Sequence, residues 1–246
     1  EGILFIDEIN CVSETLAPTM LQFLQNKTFG SHSVPEGWLI AAAGNPPEYN
    51  KSVREFDIVT LDRVRRMDIE ADLDVWMEYA WKKEIHGSIL AYLGMKKDHF
   101  YSVENTVDGK FFVTARGWED LSEILKAYEE LGVEITENLI GEYLCRDEIA
   151  RSFFASYQLY RKYGEDYGLK RLLSGEMAEE EQQKKVKMAE GASFEERFLV
   201  TGLLLSGLNG SFLDYEKLDK ETGAVYQELL HLKAFLHDKK DMTALD

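Results

Sequence analysis

Cysteine is scarce in this chain: Cys11 and Cys145 are the only two in 246 residues. They stand far apart in the sequence and match no metal-ligand spacing. No disulfide framework is therefore expected, and two ordinary thiols point to a reducing compartment, the cytoplasm. Long apolar runs are missing too. Nothing approaches the twenty or so consecutive apolar residues that cross a bilayer, and no signal peptide is evident, so no membrane span is expected. Basic charge is the minority sign, with 28 Lys and Arg against 45 Asp and Glu and a net charge of −17. Nucleic acid and anionic membrane surfaces bind through clustered Lys and Arg, so this balance argues against general binding to either. His32, His86, His99, His231 and His237 form no H-E-x-x-H or Cys/His cluster, and no G-x-S-x-G nucleophile elbow occurs. A phosphate-binding loop, G-x-x-x-x-G-K-[ST], is also absent. The only Gly-Lys pair, Gly109-Lys110, is followed by Phe111 and lacks the upstream glycine.

What is present is concentrated near the start. Residues 2–8, Gly-Ile-Leu-Phe-Ile-Asp-Glu, are a run of buried-strand residues ending in two carboxylates. Such a run reads as the central strand of a parallel sheet, whose carboxyl end is where α/β folds place ligands. Adjacent carboxylates there suit a division of labour of the Walker B kind. Asp7 would hold a hydrated Mg²⁺, and Glu8 would orient or deprotonate a water for attack on a phosphate. The bland alternative is a core strand that ends in solvated acids. A glycosidase pair is not supported, because neighbours on one strand do not face each other across a sugar.

A second apolar run, residues 38–43, ends at Gly44-Asn45-Pro46-Pro47, so a polar side chain again lies where a strand gives out. Third comes residues 61–69, a basic knot around Arg63, Arg65 and Arg66 followed by a short strand candidate. With these in place the chain resembles the AAA+ ATPases, and among them the MoxR-like group. The resemblance covers about residues 1–130 and rests on GILFIDEIN, LIAAAGNPPEYN, LDRVRRMDIE and TARGWEDLSEIL in that order.

The resemblance implies ATP and Mg²⁺ as ligands, with Asp7 on the metal, Glu8 activating water and Asn45 positioning it as sensor 1. Arg63 becomes the arginine finger, delivered to a neighbouring subunit's γ-phosphate, with Arg65 as its substitute. Arg116 becomes sensor 2, a lid arginine on the γ-phosphate; a cation at a helix start gains nothing from the dipole, which agrees with an outward anion. The bland reading of the arginine knot is local pairing with Asp62, Asp68 and Glu70. A ring oligomer, hexameric in the family, and a protein client are implied as partners. Family members carry the phosphate loop ahead of Walker B, and Glu1 is not a start methionine. The chain is therefore expected to begin within a domain and not to hydrolyse ATP by itself.

The expected fold is an incomplete AAA+ α/β parallel-sheet domain at residues 1–72, a helical lid at 73–133 and a helical region at 134–246. A first helix starts near Val12-Ser13-Glu14 with a stripe at Leu16, Met20, Leu21 and Leu24, and Asn26 to Gly37 is a loop or hairpin. Asp74 is expected to cap the next helix. Asp108-Gly109 marks a hairpin, and Trp118, Leu121, Ile124, Leu125, Tyr128 and Leu131 line an amphipathic helix closed by Gly132. Residues 174–193 are polar enough for a solvated helix or a linker. Two further helices are expected, residues 194–208 with Phe194, Phe198, Thr201 and Leu205 on one face, and residues 221–237. Two functions compete. One is an ATP-driven chaperone or remodelling enzyme acting on a client or complex; the other is a non-enzymatic helical interaction module on a degenerate ATPase scaffold.

Overall fold

The computed structural model describes residues 1–13, 15–46, 58–62, 64–106 and 109–217. The chain divides into two compact units, Glu1–Glu70 and Ala71–Asp246. The fold is mixed: a small parallel sheet and two antiparallel hairpins among a larger number of helices.

In the first unit, β1 (Gly2–Ile6) leads through α1 (Ala17–Asn26) and a short hairpin, β2 (Thr28–Phe29) and β3 (His32–Ser33), to β4 (Trp38–Ala42). β1 and β4 pair in parallel, Gly2 opposite Trp38 through Ile6 opposite Ala42. The helix begins later than the sequence suggests. A 3₁₀ turn at Ile9–Cys11 follows the strand, and the Ser13 carbonyl accepts from the N–H groups of Leu16 and Ala17, both at 3.0 Å. Pro18 then sits in the first turn of α1, where its missing N–H costs nothing. The hairpin expected between Asn26 and Gly37 is present, with Thr28 opposite Ser33.

Two features of this unit differ from expectation. β1 is not buried on both faces: Ile3 and Phe5 are 65% and 61% exposed, and Leu39 across the ladder is 61% exposed. The strand candidate after the arginine knot forms no strand. Residues 65–70 have no regular structure, and Met67 and Ile69 lie in solvent. Alternating apolar residues become a strand only beside a partner edge, and among the described residues none meets them. A four-residue helix, α2 (Ile58–Leu61), precedes this segment.

The second unit holds the apolar core. α3 (Leu73–Lys82) is capped by Asp72, whose carboxylate accepts from Val75 N–H at 3.0 Å, and Asp74 falls in the first turn instead. α4 (Gly87–Met95) is buried on nearly every side. Its first residue must be glycine, since a Cβ there would stand 2.2 Å from the Tyr160 hydroxyl. A hairpin, β5 (Ser102–Thr106) and β6 (Gly109–Val113), surrounds the expected turn; Asp108 itself is outside the described residues. α5 (Ala115–Leu131) is capped by the Thr114 hydroxyl at Gly117 N–H and closed by Gly132 at φ 66, as its terminus suggests; of its stripe Trp118, Leu121 and Leu125 are buried, whereas Leu131 at the last turn is 75% exposed because the helix outruns the core there.

The helices α6 (Glu137–Tyr143), α7 (Asp147–Tyr167), α8 (Leu169–Leu173), α9 (Glu179–Glu190) and α10 (Phe194–Lys217) follow. The main core draws on residues 73–133 and 134–246 together. Tyr92, Trp118 and Phe153 meet there with ring centroids 5.3–5.9 Å apart, edge-on or tilted as aromatic quadrupoles prefer. α9 is a helix with no buried residue. α10 buries a different face from the one its sequence suggests. Leu199 packs with Ala91 and Tyr160, and Val200 and Leu204 pack with Leu169 and Leu172, while Phe194 and Leu205 are exposed. Apolar residues run almost all round this helix, so the stripe was set by its neighbours rather than by period. The helix expected at residues 221–237 lies outside the described residues. Among those described, no helix is long and apolar enough to cross a membrane.

Candidate functional site

Parallel pairing puts the carboxyl ends of β1 and β4 side by side. Asp7 and Glu8 leave β1 at the same edge where Ala43, Gly44 and Asn45 leave β4. All three candidate side chains, Asp7, Glu8 and Asn45, are exposed there.

The hydrogen bonds at this edge explain how Glu8 is presented. Ala43 N–H donates to the Ile6 carbonyl at 2.9 Å. In a regular parallel ladder the next rung would run from the N–H of residue 8 to the Ala43 carbonyl. The donor found there is Ile9, at 2.9 Å. One residue has therefore been set off the ladder, and it is Glu8, held at φ 50, ψ 38 in the left-handed region. Its N–H turns to the Asp7 carboxylate at 2.9 Å. This is a bulge, a device that re-aims a side chain where a strand ends. It tucks Ile9 and Asn10 inward while Asp7 and Glu8 stay in solvent.

Asn10 is the residue sequence reasoning missed. It is 8% exposed, and its amide Nδ2 donates to the Asn45 carbonyl at 2.8 Å. Gly44 gives it room: a Cβ at Gly44 would stand 2.3 Å from Asn10 Oδ1. The signal available was a polar residue standing between Ile9 and the Cys11-Val12 pair just after the acids. Its partner, 35 residues away, is not legible without the ladder.

Mg²⁺ keeps most of its water and takes one or two carboxylates together with substrate phosphates. A single solvent-facing carboxylate such as Asp7 fits that mode. Three or more His, Cys, Asp or Glu side chains grouped as a protein cage do not occur among the described residues.

The arginines are distributed differently. Arg63 lies outside the described residues. Arg66 Nε pairs with Asp68 at 2.7 Å on the surface, the local pairing that the bland reading supposes. Arg116 is the second residue of α5, exposed, and belongs to the second unit.

A second polar cluster lies within the helical unit. His86 Nε2 meets Glu129 at 3.2 Å, Tyr157 donates to the same carboxylate at 2.8 Å, and the Ser88 hydroxyl lies 2.7 Å from His86 Nδ1. Serine, histidine and glutamate in series suggest a nucleophile. However, Ser88 is 1% exposed, and its backbone N–H also bonds His86 Nδ1, so the histidine caps α4. Burial pushes the Glu129 carboxyl up, but the hydrogen bonds of His86 and Tyr157 and the charge of Arg161 outweigh it and hold the group below its ordinary value. Burial and the Glu129 bond push the Tyr157 phenol well above its usual range, which keeps it a donor. This cluster fastens α4, α5 and α7 together.

No family model, no curated protein and no solved structure matches this chain.

Proposed function

We propose that this chain carries the hydrolytic edge of an AAA+ ATPase of the MoxR-like group, which couples ATP hydrolysis to remodelling of a protein client or complex. The observation that carries the reading is the shared edge of β1 and β4, where two carboxylates and an asparagine leave neighbouring parallel strands. An acid pair beside an amide at one sheet edge offers a metal-holding carboxylate and two groups able to orient a water, which phosphoryl transfer from ATP to water uses.

In this reading the Glu8 carboxylate accepts a hydrogen bond from the attacking water and takes its proton as the water oxygen bonds to the γ-phosphorus and the bond from that phosphorus to the β,γ-bridging oxygen breaks, with ADP leaving. The Asn45 amide holds the same water in line. Asp7 would hold Mg²⁺, which when bound with the nucleotide supplies neutralising charge to the phosphates. Arg63 and Arg116 would answer the charge that builds on the transferred phosphoryl group, the first from a neighbouring subunit and the second from within the chain. The strongly acidic composition disfavours nucleic acid as the partner.

The test is Mg²⁺-dependent phosphate release from ATP by the gene product that contains this chain. Glu8→Gln is expected to bind ATP as the parent does and to lose about a hundredfold or more in turnover, the usual worth of a positioned base. Parent protein that releases no phosphate, or a Glu8→Gln variant that matches it, would overturn the reading.

A further inference from the structure

We infer that Asn10 is a positioning residue that fixes the Asn45 strand end relative to the Glu8 turn; the inference rests on the ATPase reading above. Three observations converge on it. First, the backbone ladder between the two strands ends at the bond from Ile9 N–H to the Ala43 carbonyl, because the bulge at Glu8 has carried β1 away from β4. Among the described residues no backbone bond between the two strand ends follows that rung. The Asn10 side chain supplies the next bond in its place, from Nδ2 to the Asn45 carbonyl at 2.8 Å.

Second, Asn10 is buried while Asn45, whose carbonyl it holds, and Glu8, two residues before it in the chain, are exposed. A buried amide bonded to a carbonyl is costly to displace, because the carbonyl and the amide both lose a partner that water cannot readily replace. The tether is therefore stiff where the groups it holds are solvent-facing. Third, the seat is shaped for this side chain. Gly44 has no Cβ, and any Cβ there would fall 2.3 Å from Asn10 Oδ1 and 2.8 Å from its Cγ.

The consequence is chemical. Glu8 and Asn45 must address one water from two strands, and a displacement of the order of an ångström in either is enough to lose much of the rate. Asn10 touches neither nucleotide nor water in this reading. Its loss should therefore lower kcat and leave KM for ATP nearly as it was.

The experiment is steady-state ATPase kinetics on the gene product containing this chain, with Asn10→Asp, Asn10→Ala, Gly44→Ala and the Asn10→Ala/Gly44→Ala pair, and a thermal melt of each. Asn10→Asp keeps the shape and faces a carboxylate oxygen to the Asn45 carbonyl, so it separates lost positioning from a lost fill. In both Asn10 variants kcat is expected to fall about tenfold to a hundredfold with KM within about threefold, the pattern of an interaction felt only in the transition state. Gly44→Ala alone should lower kcat likewise, yet add nothing in the Asn10→Ala background, where the side chain it displaces is gone. A folded Asn10→Asp variant with parental kcat would overturn the role, as would additive effects in the pair. A parent that does not hydrolyse ATP would overturn the ATPase reading itself, and the role with it.

Discussion

Glu8 occupies a backbone conformation that glycine adopts without strain and a glutamate does not. Left-handed geometry costs an L-residue about 1–2 kcal/mol, and glycine gives back about 0.5–1 kcal/mol of that advantage through its freer unfolded chain. Glu8→Gly should thus stabilise the first unit by about 0.5–1 kcal/mol, read as a raised midpoint in a denaturant melt, while turnover disappears. A fall in stability would show that the carboxylate itself holds the turn. Strain kept at a reactive position is a common exchange of stability for chemistry. The acid pair was legible in the sequence because an apolar run that ends in two charges is a local pattern. The bulge and Asn10 were not. Both arise from a mismatch between two strands: paired residues lie 36 positions apart along the ladder, and Asn10 and Asn45 lie 35 apart, a difference that only the ladder reveals.

Among the elements, α5 was the most legible, because cap, 3.6-residue stripe and terminal glycine all agree on it. Trp118 sits at the middle of that stripe, fully buried, with its indole N–H on the Phe100 carbonyl at 3.1 Å. Trp118→Ala should cost about 3–5 kcal/mol, from the cavity and the stranded carbonyl together, whereas Leu131→Ala, at the exposed last turn of the same stripe, should stay within about 0.5 kcal/mol. Equilibrium unfolding followed by far-UV circular dichroism checks both; equal effects would mean the stripe does not set the core. Where signals compete, the sequence misleads. Asp74 was expected to cap α3, and the chain uses Asp72 instead because its side chain reaches Val75 N–H. α10 offers two apolar faces, and the choice between them belongs to α4, α7 and α8. Residues 67–69 alternate like a strand and, among the described residues, meet no edge.

At the scale of the whole molecule, the functional reading makes one demand that no single chain can meet. Arg63, by its match to the family's L-D-R segment, is proposed to act on a neighbour's γ-phosphate. Arg63→Ala should then lose about a thousandfold in hydrolysis while keeping nucleotide binding. Mixed with Glu8→Gln protein, it should regain part of the activity, because some interfaces would pair an intact Glu8 with an intact Arg63. Phosphate release from co-assembled mixtures checks this, and no recovery would place Arg63 among the local ion pairs that Arg66 and Asp68 exemplify. Assembly of this kind leaves no periodicity in a sequence, since a surface residue that waits for a partner looks like any solvated charge.

The uncovered side of the small parallel sheet bears on how the protein behaves in a tube. Ile3, Phe5 and Leu39 present greasy surface beside two strands that, among the described residues, pair with each other alone. At low ionic strength the net charge of −17 holds such surfaces apart, because repulsion between like-charged molecules reaches about 30 Å in 0.01 M salt. In 1 M salt that reach shrinks to about 3 Å, and apolar adhesion is left unopposed. Salt, added in most laboratories to keep proteins dispersed, should here shorten the shelf life of the preparation.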